Sequence, residues 1–138
     1  MAETKKTTKP TTKPAVKPVV MAPKRDVHQI DAAGRAVGRI ATEVGSLLRG
    51  KDRADFERHL DAGSSVVVSN VSQMTFSGKK IQQKEYFHFS GYPGGLKRKK
   101  LSDVFAANPG DVLRRAVWNM LPKNKLRDQM IKRLIIKK

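Results

Sequence analysis

The densest group of chemically useful residues lies between Ser90 and Lys100, where SGYPGGLKRKK joins a turn-forming run to four consecutive cations, Lys97, Arg98, Lys99 and Lys100. Gly91, Gly94 and Gly95 admit backbone angles and close approaches that a side chain would block; Tyr92 offers a stacking plane and Pro93 limits the freedom of the loop. The spacing predicts a compact, non-helical loop suited to phosphate contacts, with a solvated surface turn as the plain alternative. Two more cations, Lys79 and Lys80, sit in the turn Ser77-Gly78-Lys79-Lys80. His88, within Tyr86-Phe87-His88-Phe89, leads directly into the glycine run and reads either as part of a binding surface or as a half-buried strand histidine.

Enzymatic chemistry finds weaker support. Gly45-Ser46-Leu47-Leu48-Arg49-Gly50-Lys51 imitates a phosphate-binding P-loop up to its lysine. Residue 52, however, is Asp where a hydroxyl should hold magnesium, and the glycines end a helical pattern instead of joining a strand to a helix. Gly50 is better read as a helix C-terminal residue in the left-handed conformation. Gly34 and Gly38 follow a strand-like run but lack the three-glycine spacing of a dinucleotide-binding turn. His28, His59 and His88 show no metal-ligand spacing. Asp55 and His59 are placed to pair across one helical turn, with Asp61 close by, which reads as local surface structure and not as an acid/base site. The chain has no cysteine, which removes disulfides, thiolate metal sites and thiol catalysis. No catalytic residue, metal or cofactor is expected.

Charge identifies the class of partner. The 138 residues carry 29 Lys and Arg against 12 Asp and Glu, a formal net charge of +17. Such a density repels itself unless a polyanion neutralises it. A membrane-surface protein would show one basic amphipathic helix with aromatic anchors, or a lipidation signal, and neither is visible. Nucleic acid is the favoured partner. Residues 1–25 stand apart, with TTKP at Thr7–Pro10 and Thr11–Pro14 and AVKP at Ala15–Pro18. Proline at every fourth position opposes both helix and sheet, so this segment reads as a disordered, partly polyproline-like cationic tail. It either searches over neighbouring polyanion or acts as a solubilising extension. The N-terminus lacks the apolar core of a secretory signal and its prolines oppose a transit helix, so a cytoplasmic location is expected.

Residues 26–138 suffice for one domain with one modest core. Val27–Asp31 reads as a strand. Ala36–Arg49 is the clearest helix: Val37, Ile40, Ala41, Val44, Leu47 and Leu48 share one face, while Arg35 at the entrance, Arg39, Thr42, Ser46 and Arg49 fall opposite. Unbroken Val66-Val67-Val68 within Ser65–Asn70 predicts a strand covered on both faces, and hence a parallel or mixed sheet between helices. Met74–Phe76 and Ile81–Phe89 read as further strands. A short helix capped by Ser102 runs through Phe105, a second strong helix spans Asp111–Leu121, and a third covers Asn124–Ile131 before a last strand at Leu134–Ile136. On the second strong helix Arg114, Arg115 and Trp118 point away from the core together. Trp118 either stacks on a base or packs beneath the preceding loop. The architecture expected is a three-layer α/β/α domain.

Five segments carry a family resemblance: IDAAGRAVGRIA at Ile30–Ala41, LLRGK at Leu47–Lys51, VVVSN at Val66–Asn70, SGYPGGLK at Ser90–Lys97 and AVWNMLPKNKL at Ala116–Leu126. In this order they resemble the L-thirteen family of large-subunit ribosomal proteins. The resemblance implies a three-layer α/β fold around a four-stranded sheet, binding to large-subunit (23S-type) ribosomal RNA, early entry into subunit assembly and no catalytic activity. It carries RNA contacts onto Arg35, Arg39, Lys51, the loop Ser90–Lys97, Lys123, Asn124 and Lys125. Charge and helical geometry add Arg49, Lys79, Lys80, His88, Arg98, Lys99, Lys100, Arg114, Arg115, Trp118 and Arg127. The chain departs from the family pattern at Val27 and His28, where an aromatic is usual, and at Asn119 and Arg127, where glycine is common; the ending rich in His and Pro that many members carry is absent. The partners expected are ribosomal RNA and neighbouring large-subunit proteins, with no membrane, no small-molecule substrate and no homo-oligomer. A free basic protein that compacts nucleic acid is the alternative.

Overall fold

The computed structural model describes residues 25–137; the expected cationic tail, apart from Arg25, lies outside them. Three parallel strands form the main sheet in the order β1 (Val27–Asp31), β2 (Ser65–Ser69), β5 (Leu134–Ile136). Parallel pairing of β1 with β2 demands a crossover, and helix α1 (Val37–Arg49) supplies most of it. Ile30, Val66, Val68 and Leu134 point into the core, where they meet Val37, Ile40, Ala41, Val44 and Leu48 of α1. These helical positions follow the 3.6-residue period, so one stripe of α1 is buried and the other remains free for cations.

Between β2 and β5 the chain forms a short 3₁₀ turn (Val71–Gln73), helix α2 (Lys80–Gln83), strands β3 (Glu85–Phe89) and β4 (Leu96–Lys100), and helices α3 (Leu101–Ala107), α4 (Pro109–Met120) and α5 (Arg127–Lys132). Asn108 caps α4 by accepting a hydrogen bond from the backbone N–H of Gly110 at 3.2 Å, and Pro109 occupies the first turn, where its missing donor costs nothing. Val112, Leu113 and Val117 of α4 enter the same core. The two long helices meet at Gly45, where a Cβ would stand 3.5 Å from Cβ of Met120, an ordinary packing distance.

Helix α1 ends as its sequence predicts. Gly50 has φ 80°, and its N–H donates to the carbonyls of Ser46 and Leu47, closing the helix C-terminus. The P-loop likeness therefore lies on a helix end, with the helix on the wrong side of the glycines for phosphate binding. The returning loop packs hard against this end: a Cβ on Gly63 would lie 1.8 Å from the Leu48 carbonyl oxygen. Arg133, buried before β5, donates to that same oxygen at 2.8 Å and to Asp61 at 2.6 Å.

Four expectations change. The main sheet has three strands among the described residues, and its outer residues stay open: Val27, Gln29, Asp31 and Ile135 are exposed and Val67 is half-buried. An unbroken valine run reflects β-branched propensity as well as two-sided burial, so it cannot by itself fix how many layers cover a sheet. Met74–Phe76 makes only an isolated bridge, with Thr75 donating to the Arg35 carbonyl and accepting from the Val37 N–H. It cannot lengthen, because its partner segment turns into α1 at Val37. Ile81 and its neighbours form the turn of α2, and β3 pairs with β4 in a separate antiparallel hairpin instead of joining the main sheet. Finally, Asp55 and His59 do not pair on a helix: Asp55 accepts from Arg53 at 3.0 Å, and His59 lies 3.3 Å from Glu57.

Candidate nucleic-acid interface

The glycine run forms the tip of the β3–β4 hairpin. Gly91 and Gly94 adopt φ of 88° and 74°, and Gly95 has its N–H on the Tyr92 carbonyl at 2.9 Å. A Cβ on Gly95 would stand 2.0 Å from the Ser90 hydroxyl oxygen and 3.0 Å from the Tyr92 carbonyl oxygen, so a larger residue there would displace the Ser90 side chain and crowd the tip. Tyr92 projects from it, 74% exposed. Lys97–Lys100 belong to β4 and not to the loop itself, and all five β4 residues are exposed. The register pairs His88 with Lys97, Phe87 with Arg98 and Tyr86 with Lys99.

Because strand side chains alternate, this register sorts the hairpin into two faces. One carries Tyr86, His88, Lys97 and Lys99. The other carries Phe87, Phe89, Leu96 and Arg98, with Phe87 and Phe89 each 60% exposed. The Arg98 guanidinium lies 5.6 Å from the Phe87 ring centroid. Exposed aromatic planes interleaved with cations form a surface that can stack bases and hold phosphates together.

Tyr86 ties the hairpin to the helices. The Arg115 guanidinium sits 4.9 Å from its ring centroid and the Lys84 ammonium 5.4 Å. Burial raises the Tyr86 hydroxyl above its ordinary pKa of 10.0, partly opposed by the charge of Arg115. Arg39, Lys80, Lys84 and Arg115 all border one cleft beside Tyr86, and Arg114, Arg115 and Trp118 border an adjoining recess. The structure thus gathers Arg39, Lys80, Arg114, Arg115 and the base of the hairpin on connected ground.

Other candidates serve the fold as well, or stand elsewhere. Arg35 pairs with the Glu43 carboxylate. Arg127 lies 4.4 Å from the Trp118 ring centroid and its Nε donates to the Trp118 carbonyl at 2.9 Å, which satisfies a helix-end acceptor. The Trp118 ring is half-buried, packed against the core and faced by this guanidinium. Arg49 stacks on Phe56, 5.4 Å from its centroid. Arg49 and Lys51 are ten or more positions beyond Arg39, about 15 Å along the helix axis from the cleft. Lys79 is exposed beside α2, and Lys123, Asn124 and Lys125 are exposed between α4 and α5. Among the described residues, no group of three or more His, Asp or Glu could hold a metal ion, and no helix is long and apolar enough to cross a membrane.

The family model described as Ribosomal protein L13 matches residues 25–136. The chain belongs to this family. The match spans every described element from β1 to β5, as the ordered motifs implied. A Large ribosomal subunit protein uL13 of Psychrobacter cryohalolentis is 46% identical over 109 residues, covering 79% of this chain and 77% of that protein. Proteins of the same name from Clostridioides difficile and Chlorobium phaeobacteroides (strain BS1) are 45% and 42% identical over 111 residues, each covering 80% of this chain and 78% and 74% of their own lengths.

Within this L13-family chain, sequence reasoning missed Lys84, Tyr86, Phe87 and Phe89 as interface candidates. The signal was present: two alternating runs flank a glycine-rich turn, which is a hairpin signature. What concealed it was reading Lys97–Lys100 as loop, since a strand of four cations is unusual except on an exposed edge.

Proposed function

We propose that this chain is a structural constituent of the large ribosomal subunit, binding large-subunit ribosomal RNA and entering the subunit early in assembly. The observation that carries this reading is membership of a family whose relatives are named as large ribosomal subunit proteins, over a match of residues 25–136. Geometry supplies the means. The hairpin and the free stripe of α1 present Arg and Lys at fixed spacing, displacing counterions from folded RNA, while the exposed aromatics offer stacking planes. Recognition is of RNA shape and backbone more than of sequence. The protein performs no reaction: it holds RNA helices in position, in the ribosome and hence in the cytoplasm. Residues 26–138 act as a single RNA-binding unit beside neighbouring ribosomal proteins, and residues 1–25 add cationic charge.

The test has two arms. In a sedimented lysate the chain should travel with large-subunit particles; its absence from them would overturn the reading. Alanine at Lys97, Arg98, Lys99 and Lys100 together should weaken binding to ribosomal RNA by at least roughly tenfold while the melting temperature stays nearly unchanged, because these side chains are exposed. A collapse of Tm would place the strand in the core instead.

A further inference from the structure

The cleft bordered by α1, α2, β3 and α4 has a volume of about 760 Å³, within the range of sites that enclose small molecules, roughly 300–1,000 Å³. Its lining is asymmetric in charge. Arg39, Lys80, Lys84 and Arg115 border it, and among the described residues no carboxylate does. Its apolar wall is formed by Val37, Phe76, Ala116 and Met120. Arg115 is held at the rim by its contact with Tyr86.

Gly38 supplies a second, independent observation. It is the second residue of α1 and lines the cleft, yet its φ is not in the left-handed region and a Cβ built there meets nothing within 4 Å. Glycine weakens a helix relative to almost any other residue. Neither backbone angle nor internal packing requires it here, in contrast to Gly50, Gly63 and Gly95. The remaining physical use of a missing side chain is close approach of something from outside.

We propose that this cleft receives one unstacked nucleotide of the bound RNA, its base against Val37, Phe76 and Met120, its phosphates among Arg39, Lys80, Lys84 and Arg115, with its backbone passing close to Gly38. The proposal rests on the RNA-binding reading above and deepens it. Charge complementarity selects the occupant: four cations without a carboxylate match a phosphodiester segment, and the apolar wall matches the face of a base, which RNA exposes only where it is unstacked.

The experiment uses the full chain and a large-subunit ribosomal RNA transcript, crosslinked by ultraviolet light and read by mass spectrometry of peptide–nucleotide adducts. Adducts are expected on Phe76, Tyr86 or Met120, persisting in excess free nucleoside monophosphates; their loss to that competitor would assign the cleft to free nucleotide and overturn the proposal. Gly38→Leu extends a side chain into open space and improves helix propensity, so Tm should hold or rise while RNA affinity falls roughly 5- to 100-fold and the cleft adducts disappear. Adducts confined to the hairpin beyond Tyr86, from Phe87 to Lys100, or parental RNA affinity in Gly38→Leu, would overturn this inference and leave the ribosomal reading standing. Absence of RNA binding by the parent chain would remove both. Parental RNA affinity with lost association to ribosomal proteins would give the cleft to a protein segment. The adduct map of the parent chain stands whether or not the variant folds.

Discussion

Asp61 and Arg133 lie 72 residues apart in sequence, yet their carboxylate and guanidinium meet at 2.6 Å with side chains only 12% and 8% exposed. Arg133 also holds the carbonyl at the end of α1, so one cation fastens the loop before β2, the helix and the approach to β5. Removing the acid leaves a buried charge without compensation. Asp61→Ala is expected to cost about 3–5 kcal/mol in thermal or denaturant unfolding. Sequence placed Asp61 near His59 as a surface residue; nothing local reveals a partner from the far end of the chain. By contrast, Gly50 was legible, since glycine after an amphipathic run ending in Arg49 is a helix-stop signal with its own backbone cause.

The β1–α1 junction and the hairpin show how elements hold their ends. Asp31 closes β1 by accepting the Ala33 N–H at 3.0 Å and the Asn70 amide at 2.9 Å, the latter from the end of β2. The Ala33 hydrogen bond first, then Asn70, lowers the Asp31 carboxyl below its ordinary 3.8. A depressed folded value means stability present above the unfolded pKa and lost as pH falls through the folded one. Asp31→Asn should therefore lower Tm at neutral pH, with the difference from the parent shrinking as pH falls through the lowered folded value, which lies under the ordinary 3.8. In the hairpin, Phe87 and Phe89 stand on an exposed face, so Phe87→Ala and Phe89→Ala should weaken RNA binding by about 1–3 kcal/mol per base that each stacks, with little change in Tm. Unweakened binding would show that the face does not stack bases. The boundaries of β1, α1, β2 and β5 followed from periodicity to within a residue, because a single buried stripe or strand core dictated each. The hairpin did not, because its pattern answers to no core of this chain.

At the scale of the whole molecule, a net charge of +17, part of it carried by the lysines of residues 1–25, makes affinity for RNA steeply dependent on salt. If about eight phosphates are neutralised, log affinity should fall against log salt with a slope of roughly −6 to −7, measurable by filter binding or fluorescence titration. A slope near −1 would contradict a surface built from many cations. The amino-acid sequence by itself determined the partner class, the family and the helix and strand cores, because charge density, motif order and hydrophobic period are properties of local order along the chain. Tertiary structure alone decided that the four cations of Lys97–Lys100 lie on a strand, that Phe87 and Phe89 are exposed, that Arg35 and Arg127 have partners within the fold, and that Arg39, Lys80 and Arg115 border one cleft. Those outcomes depend on which surfaces the core leaves uncovered and which distant segments it brings within a few ångströms, and no local pattern encodes such a distance.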